Sequence, residues 1–170
     1  DYHDYRMVQQ NGTYFIDDVF VFSTNQKLSE TLKLFYLSSV PKNTIASLLE
    51  QDDYRYILML KNFVDASNNK DHAAAYKHIS LLNKSLGYKD RFVAMLKLDQ
   101  SRGISEEAYF ESMEDVLKHF VLDPSINLVA IRYHYLNKDY DQVEMCINRL
   151  ENHTNDSFLS FERGNLAYAA

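Results

Sequence analysis

Apolar residues recur along this chain every 34 positions. Ala75, Tyr109 and Val143 form one row, Ile79, Met113 and Ile147 a second, and Leu82, Val116 and Leu150 a third. Upstream, Leu58, Phe92 and Ile126 keep the same step, and Leu159 follows after 33. A pair of helices with its turns occupies about this length, and one pair alone cannot bury its own apolar face. Repetition at this step lets a chain stack such pairs into a continuous core. The spacing therefore predicts helix–turn–helix units laid one on another.

The first 22 residues follow a different pattern. Tyr2 to Gln9 and Thr13 to Phe22 are rich in aromatic and β-branched residues and flank Asn11-Gly12, the pair that best supplies two positive-φ residues to a tight turn. A β-hairpin is predicted here. Phe20 and Phe22 fall on one face of its second strand and Val19 and Val21 on the other, so the strand calls for cover on both sides. A two-stranded hairpin is marginal in water by itself. It is expected to lie on the helices and to pair with strands of an upstream segment.

After Ser23-Thr24-Asn25 the pattern turns helical. Ser29 is placed as an N-cap, and Leu32, Leu34, Phe35 and Leu37 form an apolar face that stops before Pro41. A short helix is predicted from about Thr44 to Gln51. Seven more follow at Tyr54–Ser67, Asp71–Leu86, Asp90–Ser101, Ser105–Val121, Ser125–Asn137, Tyr140–Asn152 and from Ser157 to the end. Gly87 and Gly103 are assigned as left-handed C-terminal caps, Ser105 with Glu106 and Glu107 as a helix start, and Asp123 as the cap before Pro124. The fold class expected is mainly α, an αα-superhelix of antiparallel helix pairs preceded by a β-hairpin. Residues 1–24 would be the hairpin, the end of an upstream α+β domain, and residues 25–170 the helical repeat domain. The start at Asp1 and the open helical pattern at Ala169-Ala170 read as the ends of a fragment.

Composition narrows the function classes. The 170 residues carry a formal charge of −6, against the basic surface that nucleic acid requires. No run approaches the roughly 20 apolar residues of a membrane span. Cys146, the single cysteine, lies between Met145 and Ile147 on a predicted amphipathic helix and reads as a buried, inert thiol. The six histidines do not fall at the short spacings that place two ligands on one helix face, and no phosphate loop or nucleophile elbow is present. No metal, cofactor or catalytic residue is expected. Asp17-Asp18 stands out because it interrupts an apolar strand, where a carboxylate either lines a pocket or meets a partner group across the sheet.

The 34-residue step, the helix pairs and the segment Asn137-Lys138-Asp139-Tyr140-Asp141-Gln142-Val143 resemble the tetratricopeptide repeat. Lys70-Asp71-His72 with Ala75 is similar to a second copy of that turn, and Arg163-Gly164-Asn165-Leu166-Ala167-Tyr168 to the first helix of a further repeat. The repeats would run at about 56–89, 90–123, 124–156 and 157–170. Lys97 and Ile131 depart from the pattern, standing where that family has a small residue, and Tyr109 and Val143 replace its usual Ala. Gly12-Thr13-Tyr14-Phe15-Ile16-Asp17 is similar to a closing strand of the nuclear transport factor 2-like α+β fold.

The repeat resemblance implies a groove lined by the first helices of successive units, into which Lys61, Arg91, Arg132, Tyr135, Phe161, Asn165 and Tyr168 would project. Arginine pairs bidentately with carboxylates and tyrosine offers rigid contact area. The function implied is a non-catalytic scaffold or adaptor that binds a protein or peptide partner. Self-association through the open last repeat is a further expectation. The alternative is a small-molecule-binding or enzymatic α+β unit centred on the hairpin and completed by upstream residues, with the helices as its scaffold.

Overall fold

Asn11 and Gly12 both take positive φ, 52° and 79°, and the two-residue turn they form joins β1 (His3–Gln10) to β2 (Thr13–Val21) in an antiparallel hairpin. The computed structural model describes residues 2–22, 26–41, 51–87, 89–157 and 159–169. Ser23-Thr24-Asn25 lie outside them, as does the short helix expected from Thr44, up to residue 50. A two-residue strand β3 (Gln26–Lys27) pairs with the end of β2, giving a three-stranded antiparallel sheet in the order β1-β2-β3. The hairpin register shifts once: Arg6 faces Asp18 and Met7 faces Ile16, which leaves Asp17 as the extra residue of a β-bulge.

The rest of the described chain is mainly helical, with eight α-helices among the described residues. None of them is long and apolar enough to cross a membrane. The chain divides into two compact units, Asp1–Ala108 and Tyr109–Ala170.

The first unit holds the sheet, α1 (Leu28–Ser39), α2 (Gln51–Asn68), α3 (His72–Ser85), α4 (Arg91–Ser101) and the first residues of α5 (Glu106–His119). Its core joins Leu60 and Phe63 of α2, Ala75, Ile79 and Leu82 of α3, and Val93 of α4. Ala75, Ile79 and Leu82, one from each of the three 34-residue rows, are at most 1% exposed. Burying a side chain the size of Ile or Leu this fully stabilises by about 1.5–3 kcal/mol. Tyr56 of α2 donates its hydroxyl to Asp90 Oδ2 (3.3 Å), one 34-residue step further on, while Asp90 Oδ1 accepts from the Val93 N–H (3.1 Å) and caps α4. Burial and the neighbouring Asp90 push the Tyr56 hydroxyl well above its ordinary range.

The second unit runs from Tyr109 through the remainder of α5, a single 3-10 turn (Pro124–Ile126), α6 (Asn127–Leu136), α7 (Tyr140–Thr154) and α8 (Leu159–Ala169). The rows continue: Met113, Val116, Val143, Ile147 and Leu150 are all at most 2% exposed. Cys146 is buried beside them, and that burial pushes its thiol up, away from the reactive thiolate. Arg163 of α8 donates to Glu144, Asn148 and Glu151 of α7, at 3.0, 2.6 and 2.6 Å. The hydrogen bond from Arg163 also lowers the pKa of Glu151.

One turn is built twice, two 34-residue steps apart. Lys70 and Lys138 both adopt left-handed backbone (φ 59° and 58°). After each, an Asp N–H donates to a carbonyl five residues back, Asp71 to Ala66 (3.0 Å) and Asp139 to His134 (2.9 Å). Each Asp carboxylate then caps the next helix, accepting from the Ala74 N–H (3.0 Å) and the Gln142 N–H (3.4 Å).

Two expected caps are corrected. Gly87 is left-handed (φ 62°), but Gly103 is not among the positive-φ residues. Its small size serves packing instead, since a Cβ there would stand 3.3 Å from His72 Cγ. Ser29 is not the N-cap of α1 but its second residue, because the helix already starts at Leu28 and Lys27 makes no side-chain cap. The capping carboxylate comes from Asp18 of β2.

Candidate interaction surfaces

The acidic pair in the hairpin is accounted for by the bulge. Asp17 forms an ion pair with Arg6 on the neighbouring strand. Asp18 Oδ1 accepts from the Val19 N–H (2.9 Å) and the Ser29 N–H (3.2 Å), and Asp18 Oδ2 from the Ser29 hydroxyl (2.6 Å). The Ser29 hydroxyl is the main cause holding the Asp18 carboxyl below its usual range. One carboxylate therefore neutralises a cation across the strands, and the other fastens the sheet to the start of α1.

The base of the hairpin, beyond the bulge, is more buried than its turn end. On one face Phe20 and Phe22 meet edge to face (5.6 Å between ring centroids), Phe22 is buried, and the Arg91 guanidinium lies 5.3 Å from the Phe20 ring centre. The cross-strand pairs Tyr5 with Val19, Met7 with Ile16 and Gln9 with Tyr14 share the opposite face. There Tyr5, Met7, Tyr14 and Ile16 are each more than half exposed. Val19 and Val21 on that face are half-buried and Phe15 on the Phe20 face is 50% exposed, so among the described residues cover follows the base of the hairpin and the turn end is exposed on both faces. A second exposed stripe, Leu28, Leu32 and Tyr36, runs along α1 at four-residue spacing.

The residues assigned to a groove are placed as follows. In the first unit Lys61 is half-buried on α2, and Arg91 opens α4 with its guanidinium on Phe20. In the second, Arg132 and Tyr135 stand a turn apart on α6, Arg132 exposed and Tyr135 stacked edge to face on Tyr140 at 6.2 Å. Phe161, Asn165 and Tyr168 lie on one face of α8, all exposed. Each unit thus carries its own subset.

Sequence reasoning did not single out a recess in the first unit between α1, α2 and α4, about 260 Å³ in volume. Its walls include Leu60, Phe63, Phe92 and Leu96, with Ser67 and Gln100 among its polar members. No sequence signal marks it, because its residues come from three helices at unrelated spacings. Among the described residues no group of three or more His, Cys, Asp or Glu side chains could hold a metal ion. His119 Nδ1 lies 2.8 Å from the Asp115 carbonyl and His134 Nδ1 3.6 Å from Asp139 Oδ2, positions explained by local structure. In comparisons with known proteins, no family model, no curated protein and no solved structure matches this chain.

Proposed function

We propose that this chain is a non-catalytic interaction module, a tetratricopeptide-like scaffold that binds an extended, carboxylate-bearing peptide segment. One observation carries the reading. Most side chains of the 34-residue rows are buried, with Leu58, Phe92 and Tyr109 half-buried, while large apolar and cationic side chains at other helical positions stay exposed: Arg132 and Tyr135 on α6, Phe161 and Tyr168 on α8. The twice-built Lys-Asp turn supports a repeat architecture, since equivalent sequence builds equivalent backbone two steps apart. Exposed apolar clusters on a soluble surface are the usual mark of a contact site. Arginine beside tyrosine is a pairing suited to a peptide carboxylate and its neighbouring side chains.

The test is selection from a random peptide library on the immobilised chain. It is run beside an Arg132→Ala/Tyr135→Ala variant whose helical content by circular dichroism equals the parent's. Enrichment of acidic peptides by the parent, lost in the variant, supports the reading. No enrichment, or equal enrichment by both proteins, overturns it.

A further inference from the structure

We infer that the edge of β1 is a self-association site: it pairs antiparallel with β1 of a second copy, about a two-fold axis at Tyr5. The inference concerns the hairpin alone and does not depend on the peptide reading.

The backbone supplies the first observation. The sheet runs β1-β2-β3, so among the described residues β1 has a strand on one side only. In an antiparallel ladder, alternate residues exchange hydrogen bonds with one neighbour, and those between them direct N–H and C=O the other way. The Phe22 N–H donates to the Tyr2 carbonyl (3.0 Å), and Gln10 and Thr13 flank the two-residue turn. The even-numbered residues of β1 therefore bond to β2, while Tyr5, Met7 and Gln9 present their backbone groups to the outer edge. Such an edge is a template for a further strand. The other edge of β2 is a poorer one, because the bulge at Asp17 breaks its ladder and β3 occupies its end.

The side chains decide which strand fits. Asp4 and Arg6 lie two residues apart on one face of β1, both exposed. Arg6 pairs with Asp17 and keeps further donors on its guanidinium, whereas Asp4 has no ion-pair partner among the described residues. Pairing about Tyr5 sets the Asp4 of each copy directly opposite the Arg6 of the other. Even-numbered residues form the non-hydrogen-bonded pairs of this new ladder, where side chains approach most closely. The two neighbouring registers that keep the ladder set Asp4 on Asp4 or Arg6 on Arg6, so like charges disfavour both. The charge pattern of β1 is thus complementary to itself, in one register.

The opposite face gains as well. There Tyr5 meets Tyr5, and Tyr5, Met7 and Ile16, each more than half exposed, join those of the twin in one apolar surface. The contact is the same patch on both copies and uses each β1 once, so assembly stops at two.

The test follows the mass of the full chain, 19.9 kDa, by sedimentation equilibrium over a concentration series. Twice that mass is expected at the upper end. Asp4→Arg leaves only cations at the two positions and should weaken association by roughly tenfold or more. Arg6→Asp combined with Asp17→Arg leaves only anions there, keeps the cross-strand ion pair with its sign reversed, and should weaken association as much. Mixed in equal amounts, these two proteins are complementary again and should associate with each other. Tyr5→Pro removes an edge-facing N–H but no bond to β2, and should give a monomer with the parent's circular dichroism. A parent that stays monomeric throughout overturns the inference. So does undiminished association of folded Asp4→Arg or Tyr5→Pro, or a mixture of the two charge variants, each folded, that stays monomeric.

Discussion

The hairpin and the helical rows are equally rich in large apolar residues and treat them in opposite ways. Ile79, Met113 and Ile147, spaced by 34 residues, are all 0% exposed, whereas Met7 and Ile16, paired across the hairpin, are 58% and 59% exposed. The difference lies in what each periodicity guarantees. Ile79 is enclosed within its own unit, sharing a core with Leu60 and Phe63 of α2 and Val93 of α4, so neighbouring helices supply its cover. Alternation along a strand only assigns residues to a face, and whether anything lies on that face is decided elsewhere in the chain. Here the base of the hairpin, with Phe20 beside Arg91, receives cover, and the turn end, with Met7, Tyr14, Phe15 and Ile16, stays exposed among the described residues.

The strongest way to break this contrast is to truncate the same residue type in both regions. Ile147→Ala should destabilise by about 2–5 kcal/mol in urea unfolding, since a fully enclosed site leaves a cavity behind. A loss under 1 kcal/mol would mean that the rows do not enclose it. The twice-built turn sharpens the comparison next. Lys138→Gly should stabilise by about 0.5–1 kcal/mol, because glycine accepts left-handed backbone without the penalty a side chain incurs. Lys70→Gly should shift the thermal midpoint in the same direction, and opposite signs would show that the two turns are not equivalent.

The junction between sheet and helix is tested by acid. Hydrogen bonds hold the Asp18 carboxyl below its ordinary value, so its contribution to stability is complete above the unfolded value of about pH 3.9 and is lost as pH falls through the lowered folded one. Asp18→Ala should be less stable than the parent at pH 7, with the gap closing as both are acidified. A gap independent of pH would remove the carboxylate from the account. The smallest effect belongs to the exposed turn end of the hairpin. Ile16→Ser should change stability by no more than about 0.5 kcal/mol, and a larger loss in thermal unfolding would reveal cover there.

Much of the fold was legible because its signals are local or periodic. Asn11-Gly12 forms the predicted turn, Ser105 and Asp123 cap the helical starts they precede, Gly87 is left-handed, and most of the rows lie in the core. What escaped depends on register and on distant neighbours. Asp17-Asp18 looked like a break in an apolar strand, and only the pairing with β1 reveals the bulge that gives the two carboxylates separate partners. Gly103 resembled a helix-ending glycine, yet its requirement comes from the His72 ring, on a helix remote in sequence. The groove subsets were read from helical position, which says which face a residue occupies but not whether another helix lies against it.

The sequence alone was enough for the hairpin turn, for the caps at Gly87, Ser105 and Asp123, and for most of the buried rows, because each rests on local backbone preference or on helical periodicity. Tertiary structure alone decided which end of the hairpin is covered, which carboxylate fastens the sheet to α1, and where α1, α2 and α4 leave a recess. Those outcomes depend on the meeting of segments whose spacing along the chain carries no pattern, and burial and hydrogen bonding between such segments are set only once the helices have packed.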